Sequence, residues 1–200
     1  MDLIPAEVRT VMGRLEGHDR EDRVDGTPRS RRLRAVSPEV GQFLLTLALA
    51  IGGRSIVEVG TSGGYSTLWL ALAARRAGGR VTTFEVDPAK VEIAAATFRD
   101  AGLAEVVDLR AQDAHAGLAE FDGAADLVFV DAEKEDYEGF LEPAVRALRP
   151  GGVLVADNLT SHAEDLEGFR RAALAHSDLA GLVVPIGRGE LVAVKLAPTA

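Results

Sequence analysis

From Ser55 onward the chain alternates short apolar runs with helix-patterned ones, and this constrains the fold of the 200 residues more than any other feature. Strand patterns fall at 55–59, 81–86, 106–109, 127–130 and 153–156, and helical spacing fills 66–76, 88–101, 114–120, 137–148 and 164–176. Strands separated by helices run parallel with right-handed crossovers, so an α/β doubly wound sheet is expected. The last two strands, 182–186 and 191–196, are separated only by Gly187, Arg188 and Gly189. That gap is too short for a parallel crossover, so the pair must be a C-terminal antiparallel hairpin.

Ahead of this pattern, Pro5 reads as a helix start, with Val8, Val11, Met12 and Leu15 at helical spacing. A polar stretch from Gly17 to Arg34 follows and carries Arg29, Arg31, Arg32 and Arg34. Ser37-Pro38-Glu39 then reads as cap, first-turn proline and first-turn acid of a helix whose apolar face is Phe43, Leu44, Leu47 and Ile51. Residues 1–36 are therefore expected to form an N-terminal helical arm serving substrate or dimer contacts, and 37–200 the main domain.

Net charge is −9, which argues against nucleic-acid and anionic-membrane partners. No apolar run is long enough to cross a bilayer and the start lacks a signal-peptide pattern, so a cytoplasmic location is expected. With no cysteine, thiol nucleophiles and thiolate metal sites are excluded, and any metal must rest on oxygen or imidazole ligands.

The first strand runs into Glu58-Val59-Gly60-Thr61-Ser62-Gly63-Gly64-Tyr65-Ser66 and then a helix. Glycines at this turn let a ligand approach the backbone, at the sheet edge where open α/β folds bind ligands. The G-x-x-G-G spacing differs from the dinucleotide G-x-G-x-x-G, and Glu58 would repel a pyrophosphate but suit the ammonium of an amino-acid-like ligand. A plain strand–helix turn remains the simpler alternative. Glu85, after the second strand, is placed to accept hydrogen bonds from ribose hydroxyls. Asp113, after the third, could meet an adenine or merely cap the next helix.

Asp131 ends the fourth strand, and Asp157 with Asn158 ends the fifth, at the same sheet edge. Two carboxylates and an amide oxygen make a hard, all-oxygen set that favours Mg²⁺, Ca²⁺ or Mn²⁺ over zinc. Lys134, three residues past Asp131, can reach this point and take a proton from an acceptor hydroxyl. Alternatively the acids end strands and Lys134 is solvated.

At these residues the chain resembles the cation-dependent O-methyltransferases, the group that includes the catechol and caffeoyl-CoA enzymes. The resemblance rests on V-E-V-G-T-S-G-G-Y-S, Glu85, Q-D-A-H, V-F-V-D-A-E-K-E-D-Y, L-R-P-G-G-V-L-V-A-D-N and R-G-E-L-V-A-V-K. It implies a Rossmann-like methyltransferase sheet and a main domain that binds S-adenosylmethionine. Glu58, Gly60, Thr61 and Ser66, with Ser62, Gly64 and Tyr65 of the same loop, would hold the methionine part, Glu85 the ribose, and Asp113 with Ala114 the adenine. Asp131, Asp157 and Asn158 would bind the cation, Mg²⁺ first, with Asp131 also beside the cofactor and Lys134 as catalytic base. The expected acceptor is a small catechol- or hydroxycinnamate-like molecule, and the assembly a homodimer. Glu133 and His162 are the expected acceptor contacts. Relatives often carry Trp and Asn after the D-N element; Leu159-Thr160-Ser161-His162 stands here, so the acceptor pocket should differ.

Three rival readings remain at this point: a methyltransferase without metal, a nicotinamide-dependent oxidoreductase, and a binding-only protein that keeps the cofactor pocket and turns nothing over. Tyr65 and Tyr137 could flank ligands, Trp69 belongs in the core, and His18 and His176 on the surface. The Arg29–Arg34 cluster could bind an acidic substrate or close over the site, but a solvated loop or dimer contact is the expected reading.

Overall fold

A computed structural model describes residues 3–198; Met1–Asp2 and Thr199–Ala200, the outer ends of the two predicted segments, lie outside the described residues. The elements run α1 (Ala6–Asp22), α2 (Pro38–Ala50), β1 (Ser55–Val59), α3 (Tyr65–Ala77), β2 (Arg80–Phe84), α4 (Pro88–Asp100) and β3 (Val107–Arg110). They continue with α5 (Ala114–Leu118), β4 (Ala125–Val130), α6 (Tyr137–Ala147), β5 (Leu148–Ala156), α7 (Glu167–Ala175), β6 (Leu179–Val184) and β7 (Glu190–Lys195). Seven strands form one sheet in the order β3-β2-β1-β4-β5-β7-β6. The first five are parallel, and β7 runs antiparallel to both β5 and β6.

The strand order reverses between β1 and β4, which opens a crevice at their carboxyl ends. Alternate strand residues feed opposite faces. Ile56, Leu127 and Phe129 pack under α1–α4, and Val57, Val59 and Val128 pack under α5–α7.

Three departures from the sequence reading have physical causes. First, α1 runs past Gly17 to Asp22 through polar residues. Asp22 is buried and accepts the Leu33 N–H at 3.2 Å, while Asp19 accepts the Ala35 N–H at 3.2 Å. These acids tie the returning polar stretch to the helix. Second, α2 buries Val40, Gly41, Leu44, Leu45 and Ala48, whereas Phe43, Leu47 and Ile51 are only half-buried. The face turns because Trp69 of α3, buried as expected, fills the space beside Gly41; a Cβ there would lie 2.2 Å from the indole nitrogen.

Third, the hairpin is antiparallel as expected, but residues 185–189 form its loop. Arg188 and Gly189 leave the ladder because their carbonyls accept N–H bonds from Thr160 at 2.9 Å and Leu159 at 2.8 Å. That clasp fixes the β6–β7 loop against the chain that follows β5, beside the crevice.

Candidate active site

The crevice is a cleft of about 700 Å³ at the carboxyl ends of β1, β2 and β4. Gly60, Thr61, Ser62, Tyr65 and Ser66 line it, whereas Glu58 and Gly64 do not.

Glu58 points beneath the loop, fully buried. Its carboxylate accepts hydrogen bonds from Ser66 Oγ at 2.6 Å, Thr67 Oγ1 at 2.5 Å and Thr83 Oγ1 at 2.6 Å. Held by these three hydroxyls, Glu58 braces the loop from below. Burial pushes its carboxyl up to about 7 despite these donors. Thr61 extends the same network through the Thr83 hydroxyl at 2.6 Å.

Above that brace, Gly60 has φ +95° and passes so close to β4 that a Cβ would sit 2.1 Å from the Asp131 carbonyl. Ser62 is left-handed at φ +48°; it donates its N–H to Glu85 at 2.8 Å and its hydroxyl to the Leu33 carbonyl. Tyr65 opens α3 and donates its hydroxyl to Glu16 of α1 at 2.7 Å. The N-terminal arm therefore closes one side of the loop.

Glu85 also accepts N–H bonds from Val86 at 2.9 Å and Asp87 at 3.0 Å, and it lines the cleft where ribose was expected. Asp113 caps α5 through the His115 N–H at 2.8 Å, which holds its carboxyl below the usual range. It lines the cleft with Ala114 as well, so the cap and the cleft position coexist. The imidazole of His115 stacks on Phe140 with centroids 3.9 Å apart, and both rings line the cleft. That flat wall was invisible in sequence, because the two rings come from separate helices, α5 and α6.

At the β4 edge, Asp131 and Asn158 meet, with the Asn158 amide donating to Asp131 at 2.9 Å. Asn158 adopts φ +75°, a left-handed turn asparagine tolerates well. Lys134, in a short 3₁₀ turn before α6, places Nζ 3.5 Å from Asp131 and 3.1 Å from the Ala132 carbonyl. Its ammonium also lies 4.7 Å over the ring of Tyr137. Tyr137 is a correction: it is wholly buried, does not line the cleft, and donates its hydroxyl to the Asp157 carbonyl at 3.1 Å. Burial and the nearby Asp157 carboxylate push Asp131 up to about 6, against the pull of Lys134.

Asp157 is brought near this group without lining the cleft. It lines a neighbouring cavity of about 430 Å³ shared with Glu16, Asp19 and Arg188, and accepts the Asn158 N–H at 2.5 Å. Among the described residues, no three His, Cys, Asp or Glu side chains form a ready-made ligand cluster. Asn158 Oδ1, however, is buried with no hydrogen-bond partner. The sequence reading missed Glu190, which is fully buried with both carboxylate oxygens unpartnered. Burial and the adjacent Asp157 push its carboxyl up to about 11. Its position in R-G-E-L was the available signal, although nothing in the alternation marks the first residue of a strand as buried.

Of the two expected acceptor contacts, His162 lines the cleft beside Ser161, 3.0 Å from its hydroxyl. Partial burial and the cations of Lys134, Arg29 and Arg188 hold its imidazole below the ordinary value. Glu133 also lines the cleft, but its carboxylate is held by Arg34 in a two-pronged ion pair. Of the arginine cluster, Arg29, Arg32 and Arg34 line the cleft. His176 is only partly exposed, 3.2 Å from Glu142.

A doubly wound sheet closed by an antiparallel β7, with a glycine loop and an acid–lysine pair at its switch point, defines a Rossmann-like methyltransferase. An O-methyltransferase family model matches residues 25–172. A provisionally named O-methyltransferase of Mycolicibacterium vanbaalenii is 35% identical over 94% of this chain and 91% of its own. A catechol O-methyltransferase of Mycobacterium tuberculosis is 43% identical over 62% of this chain and 57% of its own. The crystal structure of a Bacillus cereus O-methyltransferase with S-adenosylhomocysteine superposes with a TM-score of 0.78 at 26% identity, covering 93% of this chain and 90% of that one. The chain belongs to the O-methyltransferase family and is a methyl-transferring enzyme. The nicotinamide reading is thereby overturned.

Proposed function

We propose that the chain moves a methyl group from S-adenosylmethionine to a hydroxyl of a small catechol- or hydroxycinnamate-like acceptor, assisted by a divalent cation, Mg²⁺ before Mn²⁺ or Ca²⁺. The observation that carries this reading is the double duty of Asp131. Its backbone carbonyl packs against Gly60 of the cofactor loop, while its carboxylate meets Lys134 and Asn158. This supports a methyl donor and a proton acceptor meeting at one residue, where alignment can supply roughly 7–11 kcal/mol of barrier reduction.

The loop's left-handed backbone at Gly60 and Ser62 shapes room for the methionine part, and Glu85 presents its carboxylate to the ribose hydroxyls. The paired rings of His115 and Phe140 offer a flat apolar face for a base. Asp131, Asn158 and, from behind, Asp157 would hold the cation. The unpartnered Asn158 Oδ1 and the all-oxygen donors suit a hard ion. When bound, such an ion supplies Lewis-acid stabilisation of a developing oxyanion. Lys134 Nζ, positioned by Asp131 and the Ala132 carbonyl, would take the hydroxyl proton onto its lone pair in the neutral amine form, becoming the ammonium that Asp131 then pairs. His162, Arg29 and Arg188 at the acceptor end favour an acceptor bearing an acidic group as well as the hydroxyl.

One observation favours a second reading, metal-free transfer: Asp157 lines the neighbouring cavity and not the main cleft. Incubating the enzyme with methyl-labelled donor and a panel of catechols and hydroxycinnamates, with Mg²⁺ or with EDTA, separates them. Product that needs Mg²⁺ supports the first reading; equal product in EDTA supports the second; no labelled phenol in any arm sinks the acceptor class.

A further inference from the structure

The arginines lining the cleft divide into engaged and bare. Arg34 is held by Glu133, Arg23 by Asp19 at 2.8 Å and 3.1 Å, and Arg32 gives its Nε to the Thr27 carbonyl at 2.8 Å. Arg29 and Arg188 line the same cleft, and among the described residues their guanidinium groups make no ion pair or hydrogen bond. The positive charges of Arg29, Arg188 and Lys134 all bear on His162, which places the three cations and the imidazole in one neighbourhood. Nearby acids are largely engaged, Glu133 by Arg34 and Asp131 by Lys134 and Asn158, with Asp136 exposed. In a chain of net charge −9, two bare arginines on one cleft wall run against the general surface charge.

Arg188 is also pinned in place. Gly187 at φ +56° and Gly189 at φ +88° flank it, and a Cβ would lie 2.3 Å from Val40 Cγ2 at the first and 2.4 Å from Thr160 Cγ2 at the second. These glycines let the loop pass between α2 and the chain after β5. There the Arg188 carbonyl accepts the Thr160 hydroxyl at 2.6 Å and the N–H groups of Thr160 at 2.9 Å and Ser161 at 3.1 Å. A backbone held this way loses little freedom on binding, and a guanidinium fork matches a carboxylate. Acids bound the region: Asp165 also bears on His162, while Asp19 and Asp157 line the second cavity that Arg188 borders. A single negative charge suits that setting, and a polyphosphate would meet the acids.

We propose that Arg29 and Arg188 form an anion subsite for a carboxylate on the acceptor, with Arg188 as the specificity-determining residue. The preferred acceptor is then a phenol bearing one carboxylate, ahead of neutral catechols and well ahead of catechols bearing an amine. This rests on the methyl-transfer reading above and does not depend on whether a cation assists.

The test gives the full chain, as wild type, Arg188→Lys, Arg188→Gln and Arg29→Gln, labelled S-adenosylmethionine and four acceptors in Mg²⁺. These are dihydroxycinnamate, its methyl ester, its coenzyme A thioester and an aminoethyl catechol. Wild type should show a KM for the free acid about 10–100-fold below that for the ester, with the amine poorest. Arg188→Gln should bring the acid-to-ester ratio close to unity, Arg29→Gln should lower it less, and Arg188→Lys should keep part of it. About 0.5 M KCl should shrink the wild-type ratio. A merely structural defect would weaken acid and ester together and leave their ratio unchanged, and calorimetric binding of S-adenosylhomocysteine identifies any variant with a disturbed cleft. Equal KM for acid and ester in wild type, or a wild-type ratio in Arg188→Gln, overturns the inference. Preference for the thioester overturns the single-carboxylate assignment. If wild type binds S-adenosylhomocysteine but methylates none of the four, the phenol reading itself falls and takes this inference with it. Should Arg188→Gln fail to fold, Arg29→Gln and the salt dependence still decide.

Discussion

On the β1–β2 side of the cleft, Glu58 receives three hydroxyl hydrogen bonds and Glu85 three backbone ones. On the β4–β5–β7 side, Asn158 Oδ1 and both oxygens of Glu190 receive none. An unmet buried polar group costs about 1–3 kcal/mol, and more if charged, so the second arrangement persists only with some return. The contrast separates two jobs. Neutral donors hold the cofactor loop, whereas the opposite edge crowds the carboxyls of Asp131, Asp157 and Glu190, and burial with this mutual repulsion pushes Asp131 and Glu190 up.

The largest effect expected from this contrast falls on Lys134. Replacing it by alanine should lower turnover by about 10²–10⁴-fold while leaving S-adenosylhomocysteine affinity unchanged. Single-turnover methyl transfer beside calorimetry measures both, and undiminished turnover would remove Lys134 from the chemistry. Next comes Gly60→Ala, which forces an alanine to φ +95° with its Cβ 2.1 Å from the Asp131 carbonyl. Urea unfolding should show a loss of roughly 3 kcal/mol, with weakened cofactor binding. Wild-type stability would mean the two sides are less rigidly joined than the close approach implies.

A third test concerns the well-satisfied side. Glu58 rises from 4.5 to about 7 chiefly by burial, with Asp131 also pushing it up and the hydroxyls of Ser66, Thr67 and Thr83 pulling it down. A carboxyl raised on folding binds more protons in the native state than in the unfolded one. Its stabilising contribution is therefore complete below the ordinary carboxylate value and is lost as pH rises through about 7. Glu58→Gln should flatten the fall in stability between about pH 5 and pH 8 by up to roughly 3 kcal/mol. Parallel slopes for the two proteins would show that Glu58 stays ionised throughout.

The satisfied side was largely readable from sequence, because glycine spacing and strand-end acids act within a few residues of one another. Gly60 and Ser62 sit in the expected loop, Glu85 meets it from the end of β2, and Asp113 is both cap and cleft residue. The direction of Glu58 was not readable, since it depends on Thr67 and Thr83 reaching one carboxylate from α3 and β2. On the other side, Asp131, Lys134 and Asn158 come together as their strand positions predicted. Asp157 lines the neighbouring cavity, and Glu190 enters beside it through the β5–β7 register, a long-range pairing that local periodicity does not encode. The hairpin was legible and its rung-by-rung alignment was not. The arm is helical as expected, but its attachment was not readable for a related reason, as Asp19 and Asp22 are polar in the sequence and yet hold residues 33–35 by tertiary hydrogen bonds.

That arm gives the smallest effect and a sharper view of the boundary between the two sides. Arg34, left-handed at φ +50°, reaches across the cleft to Glu133, while the Leu33 carbonyl beside it accepts the Ser62 hydroxyl. One short segment therefore touches both the cofactor loop and the chain following β4. The Glu133 side chain is 53% exposed, so water screens the pair, and a double-mutant cycle of Arg34→Ala and Glu133→Ala should give a coupling below about 1 kcal/mol in stability. The kinetic consequence should exceed the thermodynamic one, because the pair bridges a cleft rather than packing a core. Release of S-adenosylhomocysteine, followed by stopped-flow displacement, should quicken in either single variant and no further in the double. Unchanged release in all three would show that the arm's hold on the loop runs through Leu33 and Tyr65 alone. Quicker release in only the Arg34 variant would assign the effect to the arm's own geometry and not to the ion pair.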